Sequence, residues 1–283
     1  MLAQRVGAAI VAIPVLVALI WIGGWPYTLA AALILGVAAA EFSHLKAPWL
    51  SPATLLASAY AALLAVSAFT IGLTPILLLT GGLAVSALPA LFLWLRRGSV
   101  FAERVIWLVA GVSYVGLLGS TIVLLRDIDR QTVITFLTDG TVTASTEDGP
   151  GRDWVFLTLF ATFAADTAAY FTGRGVGRHK LAPTISPNKT WEGFFGGYIG
   201  AFAAVFALDA ALDIEAGTAA ILLIAITLPI AAVAGDLVES WLKRRTGVKD
   251  TSELIPGHGG LLDRLDSLLL TFPLVYCVAQ WVA

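Results

Sequence analysis

Nine stretches of the chain run almost unbroken in apolar side chains, separated by short polar or Gly/Pro-containing breaks. They fall at about 6–24, 26–41, 51–69, 71–95, 105–125, 154–172, 191–212, 217–238 and 265–282. Each is on the scale of the roughly 20 residues that carry a helix across a hydrocarbon core. Regular alternation of apolar and polar positions is absent, so the pattern predicts spanning helices rather than barrel strands. Gly23-Gly24-Trp25-Pro26 and Gly72-Leu73-Thr74-Pro75 divide the two closest pairs, as Gly/Pro breakers do. The first stretch follows only Arg5 and has no convincing small-residue cleavage site, which predicts an uncleaved span rather than a signal peptide. The expectation is an all-α integral membrane protein, a polytopic bundle of about nine transmembrane helices. Three regions follow: 1–125 as an N-terminal scaffold of helices, 126–153 as an extracytoplasmic loop, and 154–283 as a transmembrane catalytic region.

Composition agrees. The 283 residues are 58% hydrophobic and 13% charged, against about a quarter charged in a soluble domain. A net charge of −2 gives no support to a polyanionic partner, so no nucleic acid is expected. Cys277 is the single cysteine, which excludes an intrachain disulfide. The location of the charges is more informative than their sum. Alternate breaks carry Arg5, Lys46, Arg96, Arg97 and Arg104, then the basic residues of 174–189, then Lys243, Arg244, Arg245, Lys249 and Arg264. The opposite breaks are uncharged or acidic; 126–153 holds three bases against six acids. The positive-inside rule therefore predicts a cytoplasmic N-terminus, an outer C-terminus, and a cytoplasmic face for both polar clusters described next. The 126–153 loop itself reads as a solvated connector.

The first cluster runs from Gly235 to Asp266: GDLVESWLKRRTGVKDTSELIPGHGGLLDRLD. Charge is costly in a bilayer, so a cluster this dense between two spans points to a functional site. If the eighth span continues as a helix, Asp236, Ser240 and Lys243 share one face, with Glu239 beside them. That helix should end near Thr246-Gly247, and Pro256-Gly257 and Gly259-Gly260 should turn the chain back. Asp263 and Asp266 would open the last helix at i, i+3. Carboxylates on two facing walls make an oxygen-rich site suited to Mg²⁺, which takes one or two carboxylates and fills the rest with water and phosphate. Plainer readings stand beside this one. The Asp pair could be a helix cap, the three bases a positive-inside flank, Asp236 an ion-pair partner of Lys243, and His258 a locally bonded turn residue.

The second cluster is Asp166, Ala168-Ala169-Tyr170, Gly173-Arg174-Gly175, Gly177-Arg178-His179-Lys180 and Ser186-Pro187-Asn188-Lys189-Thr190-Trp191-Glu192-Gly193. Asp166 sits mid-span and must face a polar cavity or a partner. The glycines and bases that follow can present amides and cations to an anion such as a triphosphate, or can be an ordinary cytoplasmic loop. Ser186 to Glu192 also fits a plain helix start with a first-turn acid. Glu41 and His44 lie in a cytoplasmic turn with no partner nearby in sequence. Tryptophans near span ends read as interfacial anchors.

The run Ser240-x-Leu-Lys-Arg-x4-Lys249-Asp250-x5-Pro256-Gly-His-Gly-Gly-Leu-Leu-Asp263-Arg264-Leu-Asp266 resembles the signature of phosphatidate cytidylyltransferases, also called CDP-diglyceride synthases. The Asp166, Ala-Tyr, Gly and Ser-Pro-x-Lys-Thr-x-Glu-Gly segments are similar to that family's second conserved region. Asn188 stands where Lys is more usual, which weakens one phosphate contact. The resemblance is strong over about 160–275. It implies CTP and phosphatidic acid as substrates, CDP-diacylglycerol and diphosphate as products, Mg²⁺ as cofactor with room for a second metal ion, a site at the cytoplasmic face of the plasma membrane, and a homodimer. Carried over by position, Asp236 and Asp263 would hold the metal, with Lys243 and Asp266 completing the catalytic group. Binding of substrate would draw on Asp166, Arg174, Lys180, Ser186, Asn188, Lys189, Thr190, Glu192, Ser240, Arg244, Lys249, Asp250, His258 and Arg264. Two other classes stay open: a transporter, which would more often show paired repeats with broken helices, and an enzyme of the same fold acting on an ether-lipid or polyprenyl phosphate.

Overall fold

A computed structural model describes residues 2–86, 88, 92, 100–128, 131–136, 142–147, 149–252, 254 and 259–282. The elements are α1 (Leu2–Ile22), α2 (Gly24–His44), α3 (Pro52–Ile71), α4 (Leu73–Ser86), α5 (Val100–Gly111), a π-helical turn (Val112–Leu117) and α6 (Leu118–Arg126). After these come β1 (Gln131–Phe136), β2 (Val142–Glu147), α7 (Gly151–Val176), β3 (Lys180–Ala182), β4 (Ser186–Thr190), α8 (Trp191–Leu212), α9 (Thr218–Thr246), a 3₁₀ turn (Leu262–Arg264) and α10 (Leu268–Val282).

Among the described residues six helices are long and apolar enough to cross a membrane: Gly24–His44, Pro52–Ile71, Ala102–Arg126, Gly151–Val176, Trp191–Leu212 and Thr218–Thr246. Ala12–Ile22 and Leu268–Val282 are apolar but shorter. An all-helical membrane protein therefore stands. Most of 87–95, the last part of the 71–95 expectation, lies outside the described residues.

The helices pack through small side chains. Along α2 the residues Tyr27, Ala31, Leu35, Ala38, Ala39 and Phe42 are buried at helical spacing, and α3 buries Ala57, Ala61, Leu64, Ala65 and Ala68. In lipid, attraction between apolar faces supplies little, so close backbone approach through such residues is what holds helices together. Ser51 caps α3, its hydroxyl accepting from the Thr54 amide, with Pro52 at the first helical position. Thr162 of α7 donates its hydroxyl to that of Thr271 on α10, 3.3 Å away.

Helix α9 has 29 residues, about 43 Å at 1.5 Å per residue. That exceeds the ~30 Å hydrocarbon core by more than two turns, a length that leaves room for the polar C-terminal end of α9 outside such a core. Lys243, Arg244 and Arg245 lie in its last turn and Gly247 closes it in a left-handed conformation, φ 78°, as the sequence predicts.

Two differences concern strands. The 126–153 connector contains an antiparallel hairpin in which Gln131 faces Glu147 and Phe136 faces Val142. Both arms are rich in Thr and Val, whose branched Cβ favours pleated backbone. The basic loop of the second cluster is likewise a short hairpin, with Lys180 opposite Thr190 and Ala182 opposite Ser186.

Candidate functional site

The site forms where the C-terminal end of α9 meets the turn that leads into α10. Gly235 permits it. A Cβ there would collide with the carbonyl oxygen of Asp266 and come within 3.1 Å of Ser267 Cα. Only a glycine lets the two backbones touch, and the touch places Asp236 beside the Asp266 segment. Asp236 is half-buried. Its Oδ1 accepts from Ser240 Oγ at 3.1 Å, the one-face spacing expected from sequence, and its Oδ2 lies 2.6 Å from Lys189 Nζ.

Lys189 belongs to the second cluster, so this ion pair joins the two sequence motifs. The alternative pairing of Asp236 with Lys243 is not the one formed. Lys243 instead bridges Glu239 Oε2 at 3.1 Å and Asp263 Oδ1 at 2.8 Å, with the three side chains 12%, 1% and 9% exposed. Asp263 Oδ2 accepts from the amide and hydroxyl of Thr251, both at 3.1 Å, and from the Gly260 amide at 2.7 Å. Burial alone would raise the Asp263 carboxyl. Hydrogen bonding with Glu239, Lys243 and the Gly260 amide outweighs that and holds it below the usual range.

The spacing predicts that Asp263 and Asp266 open the last helix, and the structure corrects this. Asp263 lies in the 3₁₀ turn, and α10 starts at Leu268. The Asp263 carboxylate is taken up by Thr251 and Gly260, which bends the chain before the helix starts. Asp266 accepts from its neighbour's amide, Ser267 N, at 2.6 Å. Its carboxyl is pushed up to about 7, chiefly by burial and next by the Asp236 charge, with Asp166 adding to the rise and Lys189 opposing it.

Asp166 on α7 interacts through space with Asp236 and Lys189. Three carboxylates from three separate elements, Asp166, Asp236 and Asp266, thus repel one another around one ammonium. That excess of negative charge fits a divalent cation. Among the described residues no three His, Cys, Asp or Glu side chains close into a ready cage. Mg²⁺ does not require one, since it is held through one or two carboxylates plus water and substrate phosphate.

The remaining second-cluster residues divide by task. The Thr190 hydroxyl accepts from the Gly193 amide at 3.1 Å and caps α8. Glu192 accepts from the His179 amide at 3.2 Å and contacts its Nδ1 at 2.6 Å, folding the hairpin onto the helix. Arg244 donates to the carbonyls of Ile185, 3.3 Å, and Val248, 3.4 Å, tying the hairpin to α9. Arg174 donates to the Tyr170 hydroxyl at 2.7 Å. Ser186 is half-buried, and Lys180, Asn188, Lys249, Asp250 and Arg264 are exposed around the cluster. His258 lies outside the described residues.

Sequence reading missed two neighbours. Glu41 of α2 is wholly buried and accepts hydrogen bonds from the turn that carries Asp263; a carboxylate in the last turn of a span was the available signal. Tyr114, in the π-helical turn, holds its hydroxyl buried with no hydrogen-bond partner among the described residues. The charges of Glu239, Asp266 and Asp236 all act on it. Nothing local in the sequence marks it.

Comparison with known proteins supplies a family. The profile of the Cytidylyltransferase family matches residues 3–282. A phosphatidate cytidylyltransferase of Staphylococcus epidermidis is 42% identical over 125 residues, 44% of this chain and 48% of that protein. One from Bacillus subtilis is 40% identical over 129 residues, 46% of this chain and 48% of its own length. A Staphylococcus aureus protein of the same name is 38% identical over 125 residues. The chain spans about half the length of the curated relatives it matches.

Proposed function

Because the chain belongs to the Cytidylyltransferase family, we propose that it is a phosphatidate cytidylyltransferase of phospholipid biosynthesis. In this reading it transfers CMP from CTP to phosphatidic acid and releases CDP-diacylglycerol and diphosphate. The observation that carries it is the 2.6 Å contact of Lys189 with Asp236, through which both polar motifs meet at the end of one apolar helix. The relatives' name supplies the substrate class.

The chemistry asks for little acid–base work. A lipid phosphate monoester is largely ionised near neutral pH, so its oxygen can attack the α-phosphorus of CTP without a strong general base. The obstacle is bringing two anions together in line. Lys189 and Lys243, each already oriented by carboxylates, are cations placed to pair with phosphate oxygens as charge develops. Arg174, Lys180, Lys249 and Arg264 are exposed and add further positive charge to the two motifs.

Mg²⁺ bound here would supply Lewis-acid stabilisation of the transferring phosphoryl group. Asp236 would hold it, with Asp166 and Asp266 close by. Asp263, the other expected ligand, offers Oδ1 to a cation only when Lys243 leaves that oxygen, 2.8 Å away, for a phosphate. The proposal further includes nine spans, a plasma-membrane location, a cytoplasmic site reached by CTP from solution and by lipid laterally, and a homodimer. The test is direct: purified protein, labelled CTP, Mg²⁺ and a panel of lipid phosphates, scored for CDP-lipid. Formation of CDP-diacylglycerol supports the reading. Acceptance of an isoprenoid phosphate alone, or diphosphate release without any lipid, overturns it.

A further inference from the structure

Glu41 sits in α2, in the half of the chain that reads as scaffold, and its side chain is 0% exposed. Its Oε1 accepts from Ser252 Oγ at 2.6 Å and from the Leu261 amide at 3.0 Å; Oε2 accepts from the Leu262 amide at 2.6 Å. The donors lie 211 to 221 residues away in sequence. Among the described residues no Lys or Arg forms an ion pair with Glu41. Its whole contribution is therefore directed at the backbone and one hydroxyl of the turn between α9 and α10.

Asp263 grips the same turn from the other side. It takes Thr251 and the Gly260 amide, while Glu41 takes Ser252 and the Leu261 and Leu262 amides. The donors interleave: Thr251 to Asp263, Ser252 to Glu41, Gly260 to Asp263, Leu261 and Leu262 to Glu41. Two carboxylates thus pin both ends of the 251–262 segment together. Gly260 stands between them with no room for a side chain. A Cβ there would lie 2.8 and 2.9 Å from the two Glu41 oxygens and would collide with Thr251 Oγ1.

We propose that Glu41 is a positioning residue of the active site: from the N-terminal bundle it ties Ser252 to Leu261 and Leu262, and so sets where Asp263 and its partner Lys243 stand. A buried carboxylate is costly unless donors satisfy it, and charge-assisted bonds to amides are among the stronger ones. A turn needing closure alone could use a neutral hydroxyl or amide. The carboxylate brings rigidity to the residue immediately before Asp263. This rests on the reading of the site given under the proposed function.

The experiment uses the full-length protein in detergent or nanodiscs, with Glu41→Gln, Glu41→Asp and a control, Thr28→Val. Thr28 is equally buried on α2, but among the described residues its hydroxyl bonds only to Gly24 of its own helix. Glu41→Gln turns an amide group toward donors that need an acceptor. Hydrogen exchange at Leu261 and Leu262 should speed up by about tenfold or more, and kcat for CDP-lipid formation should fall by about as much, the effect of one charged hydrogen bond. KM for CTP should change far less. Glu41→Asp should recover part of both losses, and Thr28→Val should change neither. If Glu41→Gln does not fold, Ser252→Ala removes one donor and should show the same pattern, smaller. Unchanged exchange, or faster exchange with wild-type kcat, overturns the proposal. Should wild-type protein make no CDP-lipid, the functional reading fails, and the exchange measurement alone then decides whether the clamp exists.

Discussion

Replacing Asp236 by Asn separates the ion pair this carboxylate forms from the metal-holding role proposed for it. Its Oδ2 lies 2.6 Å from Lys189 Nζ, and the side chains of Lys189 and Asp236 are 23% and 27% exposed. A part-exposed pair of this kind contributes about 1 kcal/mol net, which accounts for about a fivefold change in rate. Asp236 also faces Asp266 and Asp166 in an excess of negative charge that a cation would neutralise. Loss of an electrostatic contact of that sort in a transition state costs about a hundredfold, or ~2.7 kcal/mol. Asp236→Asn, isosteric and uncharged, should therefore lose about a hundredfold or more in turnover. Lys189→Met removes the ion pair from its other end and should also weaken CTP binding. If Asp236 served only to hold Lys189, the two single variants and the double variant would lose equally. The assay is CDP-lipid formation in mixed micelles against Mg²⁺ concentration, with exposed Asp250→Asn as a variant expected to lose less. A well-folded Asp236→Asn turning over within about fivefold of wild type at saturating Mg²⁺ would refute the reasoning, because the ion pair alone covers that loss.

Three further outcomes follow from the geometry. The Asp266 carboxyl, pushed up to about 7, keeps in the fold a proton that the unfolded chain loses near 4. It should therefore make the metal-free protein progressively less stable as pH rises from about 4 to about 7, and add nothing further above that. Thermal melts across this range in chelator should show the decline, and Asp266→Asn should flatten it; an unchanged profile would remove Asp266 as its source. Tyr114→Phe deletes a buried hydroxyl that has no partner among the described residues, so thermal stability should hold or rise while turnover falls if that hydroxyl completes its bonding on bound substrate. Lower stability with unchanged turnover would make it structural. In a Cys277→Ser background, exposed Glu215→Cys should react with an impermeant thiol reagent from outside and exposed Asp250→Cys only after permeabilisation; reversed labelling would exclude a cytosolic CTP site.

Local pattern alone determined the membrane-helical class, the polar ends of the spans and the two motifs, because hydrophobic run length and the spacing of charged residues are properties of neighbouring positions. The end of α9 at Thr246 with Gly247 behind it was equally legible, since caps depend on residue type at one place. The two hairpins were not, because they occupy short polar segments where β-branched content competes weakly with turn signals. The partners of the charges were hidden too. One face of α9 was readable as Asp236, Ser240 and Lys243. Which cation meets which carboxylate was decided by helix packing, which gave Lys189 to Asp236 and Lys243 to Glu239 and Asp263. The same packing brought Gly235 against Asp266 and turned Glu41 from an unremarkable acid into a ligand for amides 220 and 221 residues away. Hydrogen bonds and ion pairs act over a few ångströms in space with no regard for sequence distance, so only the fold could make these contacts visible.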